Sequence, residues 1–289
     1  MSRGRRRLLV VLLCLLLLGG GGWLAWRRAM TPVVPVQGSD EAHFKYGSIG
    51  NDGAEGIPYA IWVALPEVFA DLLPGPGGWD SLGFLFESDG PPGVPVGSKA
   101  RVGVDRMAIN CAFCHAVAVR DSPDGPRQIH AGGAANTVDV QAYQRFLAAA
   151  AADERFTAAT LLPAMQRHVA LSWLERALYR HVLIPLTRKE LLAQRDAFAW
   201  TAGRPDWGPG RIDPFNPVKF GMLGLPDDGT IGNADMMAVW NLDAREAIRA
   251  NAPLHWDGLN TSVREVVISS ALGDGATAAE LSFASMDRI

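Results

Sequence analysis

The sequence predicts a mainly α fold with long irregular loops, and three observations predict it. Ser/Thr-x-x-Glu pairs, the signature of a capped helix start, occur at Ser172 with Glu175, Thr187 with Glu190 and Ser262 with Glu265; Thr277 with Glu280 adds a fourth. Apolar residues recur at helical spacing, as in Val138, Tyr143, Phe146 and Leu147 ahead of an alanine-rich run to Ala152. No series of segments alternates apolar and polar residues in the way half-buried strands do.

In chain order, residues 1–30 combine a basic start (Arg3, Arg5, Arg6, Arg7) with an apolar run from Leu8 to Trp26. That run is close to the roughly 20 residues that cross a bilayer as a helix. Trp23, Trp26, Arg27 and Arg28 read as an interfacial anchor, and no A-x-A cleavage site follows. The expectation is one uncleaved transmembrane signal anchor in the bacterial inner membrane. By the positive-inside rule the remaining chain then lies in the periplasm. Residues 31–56, rich in Pro, Gly and polar groups, read as a linker and irregular lead-in. Gly56 to Pro66 reads as a short buried helix with Pro58 in its first turn, and Pro66 begins a second helix through Leu73. Gly and Pro then break the chain to Gly97, with Trp79, Phe84 and Phe86 among them. Residues 137–200 form a helical insertion, and 203–229 a second loop region.

One motif stands inside this frame. Cys111-Ala-Phe-Cys114-His115 is a C-x-x-C-H sequence, the signal for covalent attachment of a c-type haem. Two thiols at that spacing reach the two vinyl groups of one porphyrin, and the next residue brings an imidazole under the iron. Cys111 and Cys114 are the expected thioether residues and His115 the proximal ligand. A zinc site needs four ligands and no second cysteine pair exists. A thioredoxin-like dithiol belongs after a strand in a βαβ pattern, which is not seen. The expected domain is therefore cytochrome-c-like, spanning residues 57–275.

Charge narrows the partners. The chain has 27 basic and 30 acidic residues. The first 30 positions hold six arginines and no acid, so the remainder carries about −9. That excludes nucleic acid as a partner and suits a basic redox protein. Only Cys14 lies outside the motif, so no disulfide framework is available.

Several segments together resemble a known group. Asn233 to Asn241 followed by Trp256-Asp257-Gly258 is similar to the stretch between the two haem motifs of bacterial di-haem cytochrome c peroxidases. Met236 and Met237 stand where that family tends to have proline and a small hydroxyl residue, and Leu259 replaces its usual arginine. The chain looks closer to the rubber-oxygenase-like branch of that superfamily. The likeness is carried by Tyr46-Gly-Ser-Ile-Gly-Asn-Asp-Gly53, Pro74-Gly-Pro-Gly-Gly78, Ile109 to His115, Val138-Asp-Val-Gln141 and His255-Trp-Asp-Gly-Leu-Asn260. The resemblance implies a second haem motif that this chain lacks. Residues 276–289 then read as the start of an inter-domain linker, and the chain as the N-terminal part of a di-haem protein. It also implies an open, O2-binding haem in this half.

Function turns on what lies opposite His115. His43, His130, His168, His181 and His255 are the other imidazoles. His168 and His181 fall in helical pattern and read as packing or surface residues. His130 and His255 are the candidate distal ligands, with Met222, Met236 and Met237 as thioether alternatives. Trp240, Trp256 and Asp257 are candidates for the surrounding shell. The leading expectation is a haem oxidoreductase of peroxidase or oxygenase type acting on H2O2 or O2, partnered by a redox protein or a second haem domain. The alternatives are a membrane-anchored electron-transfer cytochrome c and an inactive fragment of a di-haem enzyme.

Overall fold

The computed structural model describes residues 38–288 apart from 54, 103, 135, 249–251 and 256–259, with isolated positions before 38. The expected transmembrane helix is not supported: no helix among the described residues is long and apolar enough to cross a membrane. Most of the Leu8–Trp26 run lies outside them.

The mainly helical expectation holds for the rest. Helix α1 (Asp40–Tyr46) is capped by the Ser39 side chain and buries His43, Phe44, Lys45 and Tyr46. The segment read as a loose lead-in is thus partly core. Strand β1 (Ile57–Pro58) runs into helix α2 (Tyr59–Val68). Pro66 lies inside α2 and does not start a second helix. Proline there removes only the N–H that would have reached the Trp62 carbonyl, and the helix ends two residues later. A 3-10 turn, Ala70–Leu72, follows.

Strands β2 (Ser98–Val102) and β3 (Val104–Ala108) pair antiparallel, and β1 pairs with the other edge of β3, with Ile57 opposite Met107. A helical turn, α3 (Cys111–Cys114), follows directly. Residues 120–136, rich in turn-forming residues, contain a strand. Strands β4 (Ala116–Val119) and β5 (Gln128–Ala131) make a hairpin in which Val117 faces His130. These strands are too short to show an alternating pattern.

The helical insertion is α4 (Val140–Ala152), α5 (Ala158–His168), α6 (Trp173–Leu178) and α7 (Ile184–Ala197), with a π turn at Tyr179–Leu183 joining the last two. Helix α2 packs on α5 and α4 on α7. Their shared core is aromatic. Trp62 stacks on Trp79 at 4.4 Å, and Phe84 meets Phe113 and Tyr143 edge-on at 5.1 Å. The Ser172 capping box forms as expected. Thr187 caps nothing, because it lies buried inside α7, whose chain is already helical from Trp173.

The later chain is mostly loop: a two-residue bridge of Arg211–Ile212 with Ala234–Asp235, a short helix α8 (Leu242–Ile248), and α9 (Val263–Gly273) with its Ser262 capping box. Thr277 bonds Glu280 but only a turn follows. Residues 276–288, read as a linker, fold back on α1. Ser285 Oγ lies 2.7 Å from His43 Nε2, and Arg288 pairs with Asp40 at 2.9 Å.

Candidate functional site

Strand β3 carries the chain into the motif, and Asn110 fixes how the motif begins. Its side-chain carbonyl caps α3 by accepting the Phe113 N–H. Its amide donates to the Gly47 carbonyl at 2.9 Å and, at longer range, to those of Phe44 and Lys45. Asn51 ties the same region from the other side, donating to the Ile109 and Asp274 carbonyls at 2.9 Å. Both asparagines are fully buried, so their bonds lock the motif against α1 and the end of α9.

One helical turn then places Cys111 and Cys114 three residues apart, on neighbouring positions of one face. Neither is in a disulfide. His115 ends the turn, its N–H bonded to the Cys111 carbonyl. Its ring Nδ1 lies 2.7 Å from the Met237 carbonyl. A carbonyl can only accept, so Nδ1 carries the proton and Nε2 keeps the lone pair of the neutral ring. That is the arrangement in which histidine binds a metal, with tautomer and ring orientation set by the second nitrogen's partner.

All three motif residues line one cavity of about 1520 Å³. Small-molecule pockets span roughly 300–1,000 Å³, so this one has room for a large group. Its walls are mainly apolar and include Phe44, Leu147, Phe198, Met222 and Val267. Burial pushes the Cys111 thiol up to about 12 and Cys114 well above the ordinary thiol range, with the nearby Asp274 carboxylate adding to both. Burial also lowers His115, opposed by the Met237 carbonyl and helped by the charge of His255. His115 is thus neutral at pH 7. Burial raises the Asp274 carboxyl to about 7; it faces the cavity beside both cysteines.

These residues fit a covalently held haem: two protonated, unpaired thiols, an imidazole with a free nitrogen, and an apolar cavity shared by all three. They do not fit a bare ion. Among the described residues no group of three His, Cys, Asp or Glu could hold one.

The other candidates divide. His255 lines the cavity. His130 does not line it; it stands exposed on β5, because the hairpin turns its side away from the motif. His43 is held by Ser285, His168 by Glu67, and His181 is exposed in the π turn. Met222 and Met237 line the cavity, as does the fully buried Met236. Trp240 packs over Gly132 and Gly133, donates to the Ala131 carbonyl and is half exposed. Trp256 and Asp257 lie outside the described residues. Sequence reasoning missed the role of Met237, which is a backbone one and leaves no side-chain signal. It also missed Asp274, a carboxyl in a Gly-Asp-Gly turn that reads as solvent-facing.

No family model, curated protein or solved structure matches this chain. The likeness to the di-haem peroxidase superfamily rests on the quoted segments alone. One of those segments, Tyr46–Gly53, meets the motif: Gly47 and Asn51 bond to residues 109–110.

Proposed function

We propose that this chain is a c-type haem oxidoreductase in which the cavity also admits a small oxidant, H2O2 or O2. One observation carries the reading: His115 is held by the Met237 carbonyl with Nε2 unprotonated, on the wall of a cavity shared with both motif thiols. Cys111 and Cys114 would anchor the group through thioethers, and His115 would ligate its iron. Bound haem would supply an iron able to react with O2 or peroxide. The protein's part is to orient the ligand through Met237 and to keep water off with apolar walls. The resemblance to the rubber-oxygenase-like branch supports an open site. Attachment of haem c takes place outside the cytosol, so the domain is proposed to work in the periplasm.

A second reading has its own observation. His255 lines the same cavity as His115. Were it to ligate, the protein would carry electrons without turning over an oxidant. Carbon monoxide separates the two. The dithionite-reduced protein is expected to bind CO within the mixing time, with a shifted Soret band. A reduced spectrum unmoved by CO contradicts the open site, and CO binding regained in His255→Ala identifies the blocking ligand.

A further inference from the structure

The segment from Trp173 to Lys189 has two very different faces. Tyr179, Leu183, Ile184 and Thr187 are buried against the rest of the insertion. Facing out are Trp173 and Leu174, 74% and 62% exposed, then Leu178, Val182 and Leu186. From Leu174 onward these fall every fourth residue. In a plain α-helix a four-residue repeat drifts round the axis, because a turn takes 3.6 residues. The π turn at Tyr179–Leu183 takes up more residues per turn and reverses that drift. The apolar stripe therefore stays on one side.

Charge on the same segment runs against the rest of the chain. Residues 171–190 hold Arg176, Arg180, Arg188 and Lys189 against two acids: Glu175, whose carboxylate is tied into the Ser172 capping box, and Glu190, 3.9 Å from Lys189. Arg188 is engaged by the Ala151 carbonyl, while Arg176, Arg180 and Lys189 are exposed. Residues 31–289 as a whole are strongly acidic. A helix with exposed Trp and Leu on one side, flanked by Arg and Lys, has the composition of an interfacial helix that lies in the headgroup plane of anionic lipid.

We propose that the exposed stripe Trp173–Leu186, with Arg176, Arg180 and Lys189, seats this protein peripherally on an anionic membrane surface. Leu186 also lines the cavity, so the seat sets the cavity mouth beside the lipid. The proposal does not depend on the haem reading.

The test uses the full-length protein in a Cys14→Ser background, with Cys111→Ala and Cys114→Ala added where thiol titration finds those two free, and an environment-sensitive dye at Leu174→Cys. A second dye position, Asp124→Cys, lies in the exposed turn between β4 and β5. Vesicles of phosphatidylglycerol and phosphatidylcholine should blue-shift the dye at 174 and leave the dye at 124 unchanged; pure phosphatidylcholine should do so at least tenfold more weakly. Each basic residue at an anionic surface is worth about fivefold, so Arg176→Glu with Arg180→Glu should reduce the response at least tenfold. Cosedimentation with a silent dye at 174 would show attachment elsewhere and overturn the proposal. A blue shift that needs no vesicles and grows with protein concentration would make the stripe a self-association surface and overturn it too.

Discussion

Residues 44–207 and residues 208–276 carry the same kinds of apolar side chain and use them differently. The first region packs against itself: every member of the main buried cluster except Met236 comes from it. The second contributes that methionine and, with Ile49 and Met286, a small satellite of Ala271 and Ala276. Most of its other large apolar groups line the cavity or stand in solvent, among them Met222, Leu223 and Ile248 at 58%, 63% and 84% exposure. The first region has a continuous core of its own and also supplies part of the cavity wall, through Phe44, Leu147 and Phe198. The second is mostly wall, and its inner face needs something to pack on; a porphyrin is an apolar plate of the right kind.

The largest effect should come from that continuous core. Trp62 is fully buried, stacks on Trp79 and donates to the Tyr143 hydroxyl at 3.1 Å. Trp62→Ala should cost about 3–5 kcal/mol in urea unfolding. The loss should be the same with or without haem. A loss seen only in the haem-loaded protein would mean that this region, too, is completed by the cofactor.

Asp274, at the end of α9, gives the wall a pH dependence of its own. Burial holds its folded pKa near 7, above the unfolded value of about 3.9. The folded chain therefore binds the extra proton between those values, and stability falls as pH rises through that window. Relative to Asp274→Asn, the wild-type protein should lose up to about 1.4 kcal/mol per pH unit between about pH 4 and pH 7, and change little above. Parallel urea midpoints across that range would refute the burial of this carboxyl.

A smaller, local effect should appear in hydrogen exchange. Removing both attachment thiols (Cys111→Ala with Cys114→Ala) should speed exchange about tenfold or more in α8, α9 and the 208–240 loops, some 1.4 kcal/mol of local stability. Helices α2, α4 and α5 should keep their protection. Uniform loss across both regions would erase the distinction between them.

What the sequence made legible follows the same division. The motif was readable because its chemistry fixes its spacing, and the capping boxes at Ser172 and Ser262 because they sit at real helix starts. Thr187 misled for a physical reason: the pattern Thr-x-x-Glu is local, while the absence of a helix start there is set by the π turn before it. The β4–β5 hairpin hid His130 because a four-residue strand is too short to show alternation. The cavity wall was least legible. Its decisive groups are the Met237 carbonyl, the buried asparagines 51 and 110, and the Asp274 carboxyl, and their roles depend on where backbone from distant positions converges.

The central claim is that Cys111 and Cys114 hold haem covalently. The most direct measurement is the intact mass of the denatured protein, made in a host competent for haem c attachment, with its haem-to-polypeptide ratio. The account predicts one haem that stays with the chain through acid-acetone extraction and is lost in Cys111→Ala with Cys114→Ala. A chain of bare polypeptide mass would contradict it.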